Sequence, residues 1–142
     1  MIGRILGVDH GERRLGLAIS DAMGILATPL RTVEVSSDAD SVKAVCEACA
    51  ETEAVKIVVG LPLNMDGTVG PIAQRVRAFC DMLRKAIDLD VEEWDERLSS
   101  AMVERVLLDA DMSRQKRKKV RDKLAAQVIL SGYLDSKTES EY

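Results

Sequence analysis

The start of the chain combines a buried-strand pattern with a carboxylate. The apolar run of residues 5–8 ends at Asp9, and two glycines flank the short charged turn that follows. A second apolar run, residues 17–19, ends in Ser20 and Asp21, so the stretch predicts two strands joined by a hairpin. A carboxylate on a central strand costs stability unless it is paired or binds a metal ion. Fold and function must therefore both account for Asp9.

The rest of the sequence predicts an α/β domain built on a mixed sheet. After the first three strand patterns, strands alternate with segments whose apolar residues recur at helical spacing. The predicted strands cover residues 4–9, 15–20, 25–35, 55–60 and 91–98, and the predicted helices cover about 38–54, 71–87, 100–110 and 113–134. A meander followed by two right-handed crossovers gives a five-stranded mixed sheet of order 3-2-1-4-5 with helices on both faces. Pro29 indicates a bulge or an edge position in the third strand.

Length and composition are those of one globular domain. The 142 residues, 46% of them hydrophobic, suffice for one core, which is predicted to span residues 1–134. The polar residues 135–142 are predicted to form a flexible tail. No apolar run is long enough to cross a bilayer, and the N-terminus lacks a signal-peptide pattern. The sequence therefore predicts a cytoplasmic protein that does not bind a membrane.

The cysteines favour a structural role. Cys46 and Cys49 form a CxxC, but they lie at helical spacing beside apolar residues, which is typical of a buried helix face. A reactive cysteine needs an electropositive and accessible setting. With only one histidine and no paired ligand motifs, the three cysteines also make a poor zinc site.

Residues 114–123 carry a concentrated positive charge. They hold seven basic residues and one acid, a charge of +6, in a chain whose formal net charge is −4. A basic stripe on an otherwise acidic protein is typical of a surface that binds nucleic acid, although a solvated helix face gives the same pattern. The candidate contacts are Arg114, Lys116, Arg117, Lys118, Lys119, Arg121 and Lys123, together with Arg97 after the fifth strand and Arg14 in the hairpin.

Three parts of the chain each bring an acid toward one edge of the predicted sheet. Asp9 ends the first strand, and Asp95 and Glu96 lie in the C-terminal part of the fifth. Parallel strands end at the same edge, and that edge is where open α/β sheets bind ligands. Because side chains alternate along a strand, only one of Asp95 and Glu96 can share the face of Asp9. Asp122 shares a helix face with small apolar residues, so it is predicted to point inward.

Three carboxylates at one sheet edge predict a site for divalent cations. Oxygen ligands of this kind suit Mg²⁺ or Mn²⁺. Two such ions can activate a water and stabilise the leaving oxygen in phosphodiester hydrolysis. The alternative is three unrelated acids, with Asp9 satisfied by backbone N–H groups of the turn.

Other polar residues carry weaker signals. His10 is the only histidine, and strand alternation turns it away from the face of Asp9, which makes it a poor general base. The loop before the second helix presents polar side chains near a helix N-terminus, where anions bind readily. An ordinary Asp-Gly turn would explain the same loop. The loop residues in question are Asn64, Asp66 and Thr68.

Four ordered blocks of sequence resemble one family. The first is the pattern D-x-G-x-x-R-x-G-x-A-x-S-D, carried by Asp9, Gly11, Arg14, Gly16, Ala18, Ser20 and Asp21. The others are the loop at 58–71, the DERLSS stretch at 95–100 and the helix RKKVRDKLAAQVIL at 117–130. Over residues 5–134 the chain resembles the YqgF/RuvX family, which is related to Holliday-junction resolvases and to bacterial pre-16S rRNA processing.

The resemblance implies a ribonuclease H-like fold and a metal-dependent nuclease. It implies that Asp9, an acid of the DER motif and Asp122 carry the catalysis and hold the metal. Glu96 is assigned the middle role, with Asp95 in reserve. Related resolvases generally place the middle acid at the end of the fourth strand, where this chain has Gly60-Leu61-Pro62. Here that acid must come from the fifth strand.

Three functions follow as hypotheses. The favoured one is a metal-dependent endonuclease that matures the 5′ end of pre-16S rRNA. The alternatives are a Holliday-junction resolvase, which needs two coordinated cuts and usually a dimer, and a non-catalytic RNA-binding assembly factor. An actin-like ATPase shares a DxG hairpin, but it needs two such domains and this chain supplies one. The sequence leaves open RNA versus DNA, and monomer versus homodimer.

Overall fold

The computed structural model describes residues 3–98 and 113–140, and for residues 114–123 and 138–140 it describes the backbone alone. The strands are β1 Ile5–His10, β2 Arg14–Ser20, β3 Ala27–Glu34, β4 Lys56–Leu61 and β5 Asp90–Asp95. The helices are α1 Asp38–Thr52, α2 Pro71–Ala86 and α3 Arg114–Ser140.

The five strands form one mixed sheet in the order β3-β2-β1-β4-β5, as the sequence predicts. β1 lies at the centre, antiparallel to β2 and parallel to β4. β4 and β5 are parallel, with Gly60 opposite Trp94 and Leu61 opposite Asp95. The C-terminal ends of β1, β4 and β5 therefore meet at one edge, which we call the carboxyl edge. The turn between β1 and β2 lies at the same edge.

Pro29 lies on the edge strand β3, at an irregularity in the pairing. Leu17 pairs with Arg31 and Ala18 pairs with Pro29, so the residue between them in β3 is left without a partner. A proline cannot donate to the ladder, and such a bulge on an edge strand accommodates it. The sequence-based prediction for this residue is confirmed.

The first core lies between the sheet and helices α1 and α2. Alternate residues of the central strands point to this side, and β-branched and leucine side chains fill the space around Phe79. Val76, Phe79 and Leu83 recur at helical spacing on α2 and are almost fully buried. Cys49 and Cys80 are buried in this core, and burial raises the pKa of their thiols to about 11 and about 12. Neither thiol is therefore poised as a nucleophile near neutral pH.

Among the described residues, it is α3 that covers the second face of the sheet. Ala126, Ile129 and Leu130 pack on β1, β2 and β4, and the approach is close because β1 carries Gly7 at the crossing. A Cβ at Gly7 would lie 2.8 Å from Leu130 Cβ and 3.1 Å from the Ala126 carbonyl oxygen. The missing side chain therefore sets the distance between helix and sheet.

A half-buried polar cluster fixes α3 at the edge opposite the carboxyl edge. Lys56 Nζ lies 2.9 Å from Glu92 Oε2 and 5.2 Å from the centre of the Tyr133 ring. Burial would lower the pKa of Lys56, but its bonds to Glu92 and Tyr133 outweigh that effect and raise the pKa. Trp94 meets Tyr133 edge to face, with ring centres 5.7 Å apart. This cluster places the C-terminal part of α3 over that edge of the sheet.

Two predicted boundaries differ from those in the structure, and one predicted helix lies outside the described residues. β5 ends at Asp95 rather than at 98, because the chain turns at Glu96. The last helix, predicted to end near residue 134, continues to Ser140, and residues 135–140 contain no glycine or proline that would end it. The helix predicted over about 100–110 lies outside the described residues. None of the helices in 3–98 and 113–140 combines the length and apolarity of a bilayer span.

We expect Gly7→Ala to destabilise the protein by about 1 to 3 kcal/mol, because the new methyl group overlaps α3. Gly16→Ala is the matched control beneath the same helix. Its Cβ would meet Ala126 Cβ at 3.6 Å, an ordinary contact, so its free energy of unfolding should change little. Urea unfolding of both variants measures the difference. Equal losses in the two variants would contradict the assigned close approach.

Candidate nuclease site at the carboxyl edge

Asp9 lies at the carboxyl edge on the face covered by α3. It is the penultimate residue of β1, and it pairs with Gly16 of β2. Its Oδ2 lies 3.9 Å from the position that a Cβ on Gly16 would occupy, and Ala126 Cβ lies 3.6 Å from that same position. The Asp9 carboxylate therefore lies beneath the turn of α3 that contains Ala126.

Glu96 comes from the turn that follows β5 and shares the face of Asp9. Its backbone N–H donates to the Leu61 carbonyl oxygen at 3.3 Å, which ties the turn to the end of β4. Its Oε2 lies 3.0 Å from where a Cβ on Gly60 would be, and that Cβ would also overlap Ile129 Cδ1. The carboxylate thus occupies the space that the absent side chain of Gly60 leaves between sheet and helix.

The two acids repel one another. Burial, followed by the negative charges of Asp9 and Asp95, raises the pKa of Glu96 to about 7. Desolvation and like charge both disfavour the ionised form of Glu96, and a cation bound nearby would favour it.

Asp122 takes a matching place on α3. The helical backbone sets it one turn before Ala126 and on the same face, above the carboxyl edge. Its side chain is outside the described ones. Among the side chains that the structure does describe, no three His, Cys, Asp or Glu groups come together as a metal site. The described part of the site is therefore the pair Asp9 and Glu96.

Asp95 and His10 lie on the other face of the sheet. Asp95 bonds to Arg97, with Arg97 Nη2 2.7 Å from Asp95 Oδ2. His10 Nε2 lies 2.9 Å from Asp38 Oδ1 at the start of α1, and the His10 ring stacks 4.4 Å from Phe79. Strand alternation, together with the register of β5 against β4, therefore places Glu96 rather than Asp95 on the face of Asp9. The prediction that His10 faces away from Asp9 is confirmed.

Arg97, predicted as a nucleic-acid contact, is engaged within the protein. Its Nε also bonds to Asp95, and its Nη1 donates to the backbone carbonyl oxygens of Met65 at 3.1 Å and Asn64 at 3.4 Å. All three guanidinium nitrogens therefore have protein acceptors.

The polar loop residues bond mainly to one another. Asn64 Nδ2 donates to Thr68 Oγ1 at 3.0 Å, and the Thr68 hydroxyl donates to Asp66 Oδ1 at 2.6 Å. These bonds lower the pKa of Asp66. Gly67 has a φ of 88°, as a tight turn requires. The hydrogen bonds of the Asp-Gly turn therefore engage the side chains that the sequence analysis predicted as an anion site.

Arg14 lies at the carboxyl edge, where it is exposed on the first residue of β2. It helps to line an open cleft of about 640 Å³ between the β1–β2 turn and the start of α1. The cleft residues are Glu12, Arg13, Arg14, Glu34, Val35 and Ser36. Gly11 closes the turn by donating to the Arg14 carbonyl oxygen at 2.9 Å.

The basic residues 114–123 form the first turns of α3. Ala126 packs at the carboxyl edge and Tyr133 at the opposite edge, so the helix runs across the sheet with its N-terminal part outward. Residue 114 is 12 residues before Ala126, about 18 Å along the axis at 1.5 Å per residue. The basic segment therefore extends past the carboxyl edge. The predicted contacts at 114, 116–119, 121 and 123 belong to it, and their side chains are outside the described ones.

Two functional features escaped the sequence analysis. Gly60 provides the space for Glu96, and Arg97 connects the DER turn to the loop after β4. A glycine at the end of a buried strand, directly before a long loop, is the signal that could have indicated a group approaching from a neighbouring strand. Nothing in the sequence spacing would have indicated the Arg97 contacts, because they bridge more than 30 residues.

Comparison with solved structures gives the class of fold. Thermus thermophilus RuvC in complex with a Holliday junction superposes with a TM-score of 0.55, at 14% identity over 91% of both chains. The fowlpox virus resolvase bound to Holliday junction DNA gives 0.50, at 12% identity, over 96% of this chain and 98% of that one. The chain therefore has the ribonuclease H-like fold of the RuvC-type resolvases.

Sequence comparison gives the family. The RuvX family profile, described as Holliday junction resolvase, matches residues 3–136. A Clostridioides difficile protein is 48% identical over 97% of this chain and 98% of its own length, and a Clostridium botulinum protein is 45% identical over 94% and 97%. Both carry names that provisionally assign them as pre-16S rRNA nucleases. The chain belongs to the RuvX family, and with it to a class of nucleases.

We expect Glu96→Gln to stabilise the metal-free protein at pH 8 by about 1 to 2 kcal/mol, since it removes a half-buried charge beside Asp9. The measurement is urea unfolding in EDTA. Glu93→Gln is the control, on β5 just before Glu96 but facing α2, where its carboxylate lies 3.7 Å from Arg77. That exposed pair should contribute less than about 0.5 kcal/mol. A loss of stability in Glu96→Gln would argue against the assigned repulsion.

Proposed function

We propose that this chain is a metal-dependent endonuclease that hydrolyses phosphodiester bonds in structured nucleic acid. The observation that carries the proposal is the pairing of Asp9 and Glu96 on one face of the carboxyl edge, with the backbone of Asp122 one turn from Ala126. These three acids would be the catalytic, metal-holding residues. Family membership supports the same reaction class.

The donor set fits Mg²⁺ or Mn²⁺. All three groups are carboxylates, the ligands that these hard cations prefer. Gly60 keeps space open beside Glu96, and the mutual repulsion of Glu96 and Asp9 gives a reason for a cation to bind. A bound divalent cation would supply the positive charge that stabilises phosphodiester hydrolysis. Asp95 is not proposed as a ligand, because it lies on the other face.

The chain's own residues would position the nucleic acid on either side of these acids. The basic segment 114–123 extends beyond the carboxyl edge, and phosphate groups bound to it would lead the backbone toward Asp9. Arg14 lies across the site, at the β1–β2 turn, and is proposed as a second phosphate contact. Such contacts hold the strand in place without reading its sequence.

The favoured substrate is the precursor of 16S rRNA, cut at its 5′ end during ribosome biogenesis in the cytoplasm. The names of the two clostridial relatives support this choice. A four-way DNA junction is the second candidate, because the family profile is described as a Holliday junction resolvase. Two coordinated cuts would then require a homodimer, whereas one cut in RNA is compatible with a monomer. A non-catalytic assembly factor is the third.

We expect the protein to cut pre-16S RNA in Mg²⁺ or Mn²⁺ and to lose that activity in EDTA. Asp9→Asn, Glu96→Gln and Asp122→Asn should each lower kcat about 100-fold or more, because even residues that only orient metal ligands commonly cost 10- to 100-fold. Gel analysis of labelled RNA measures the products. A four-way DNA junction assayed in parallel decides the substrate.

Asp135→Asn is the matched control for this experiment, an exposed acid on the same helix as Asp122 but near the opposite edge of the sheet. It should retain wild-type kcat. Full activity in the three carboxylate variants would refute the mechanism. RNA binding without any cleavage, in every metal tested, would favour the assembly factor.

Neutralising Lys116, Lys118 and Lys119 to Gln should weaken nucleic-acid binding and flatten its dependence on salt. Each lost phosphate contact removes about 0.7 from the slope for a single strand, so the slope should fall by up to about 2. Fluorescence anisotropy at several salt concentrations measures it. Lys43→Gln with Lys85→Gln, on α1 and α2, is the control. An unchanged slope in the triple variant would place the binding surface elsewhere.

A further inference from the structure

We propose that Arg97 and Asp95 form a latch that positions Glu96, and that Arg97 is a positioning residue rather than a phosphate contact. This inference rests on the proposed nuclease function and deepens it. The latch joins two segments at the carboxyl edge: the turn after β5, and the loop of residues 62–70 between β4 and α2.

The first half of the latch lies within the DER motif. Asp95 Oδ1 accepts from the Arg97 backbone N–H at 3.1 Å and from Arg97 Nε at 3.0 Å, while Oδ2 accepts from Nη2 at 2.7 Å. This two-oxygen pairing fixes the plane of the guanidinium group. Glu96 is the residue between the two partners, so the pair closes a tight ring around its backbone.

The second half reaches the loop. Arg97 Nη1 donates to the carbonyl oxygens of Met65 and Asn64, and Gly67 leaves room for the guanidinium group 3.7 Å from where its Cβ would be. The loop is itself closed by bonds from Asn64 N to the Thr68 carbonyl oxygen at 2.9 Å and from Gly67 N to the Asn64 carbonyl oxygen at 2.8 Å. Arg97 therefore bonds to a loop that is already closed on itself.

Glu96 needs such a restraint. Repulsion from Asp9 and the loss of hydration on burial both favour movement of its carboxylate into solvent. The bond from its backbone N–H to Leu61 is long, at 3.3 Å, and cannot by itself fix the turn. The Arg97 contacts hold the same turn from the next residue along. A small displacement at a reacting centre has a large effect on rate, so the latch should influence turnover.

A phosphate contact by Arg97 makes the opposite prediction for Asp95. If Arg97 bound nucleic acid, Asp95 would compete with the phosphate, and Asp95→Asn would tighten binding. If Arg97 and Asp95 form a latch, Asp95→Asn and Arg97→Ala should damage the same step. Their effects would then not add, because each removes the same interaction.

The experiment compares wild type with Arg97→Ala, Arg97→Lys, Asp95→Asn and the Asp95→Asn/Arg97→Ala double variant. Arg31→Ala is the matched control: Arg31 pairs with Glu51, and its side chain is 38% exposed, as is that of Arg97. The readouts are the Kd for a pre-16S RNA fragment in EDTA, kcat in Mg²⁺, and Mn²⁺ affinity from quenching of Trp94, the only tryptophan. Circular dichroism melting monitors folding.

We expect Arg97→Ala and Asp95→Asn each to lower kcat by about 10- to 100-fold and to weaken Mn²⁺ binding, with the RNA Kd within about twofold of wild type. The double variant should be no worse than the single ones. Arg97→Lys should recover only part of kcat, since a lysine cannot pair with both oxygens of Asp95. Arg31→Ala should match wild type.

Two results would overturn the latch: tighter RNA binding in Asp95→Asn with weaker binding in Arg97→Ala, or wild-type kcat and Mn²⁺ affinity in both. Failure of the underlying function looks different, because wild type itself would then neither bind Mn²⁺ nor cleave RNA. If Arg97→Ala does not fold, Asp95→Asn and Arg97→Lys carry the same comparison.

Discussion

The repulsion between two acids, Asp9 and Glu96, is the constraint on which the rest of the site depends. Asp9 lies near the end of β1 and Glu96 follows the end of β5, so two parallel strands bring the acids to the carboxyl edge. Each carboxylate also needs open space at that edge. Gly16 lies beside Asp9 and Gly60 lies beside Glu96, so no side chain at either position fills the space next to the carboxylate. Burial and the nearby negative charges raise the pKa of Glu96 to about 7, and a bound cation would favour its ionised form.

Helix α3 connects this edge to the proposed binding surface. Its small and branched residues, Ala126 and Ile129, let it pack tightly on the sheet, while Tyr133 fixes its other end through Lys56 and Glu92. The same helix carries Asp122 over the site and the basic segment beyond it. One element thus covers a face of the sheet, carries the proposed third acid and supports the proposed binding surface. The 27 residues of α3 span about 40 Å. A single helix therefore connects the residues that pack on the sheet with Asp122 and with the basic segment.

The sequence determines much of this arrangement through periodicity. Alternation along β1 places Asp9 and His10 on opposite faces, and turn chemistry with two crossovers gives the strand order, both of which the structure confirms. Other features could not be predicted from the sequence, and the reasons are physical. Alternation showed that Asp95 and Glu96 must separate, but the choice between them needed the register of β5 against β4. The latch at Arg97 depends on contacts between residues more than 30 positions apart, which no local pattern encodes, whereas the glycine near the end of β4 was a signal for the space at Gly60. The helical end of α3 was missed because a polar composition was taken for a tail.

Gly60 has a consequence for how such a site can change in evolution. An acid at the end of β4 and an acid reaching over from β5 would compete for the same volume under Ile129. Because both cannot occupy it at once, a chain that moved its acid from one strand to the other would need changes at both positions 60 and 96. The two residues, though distant in sequence, share one volume.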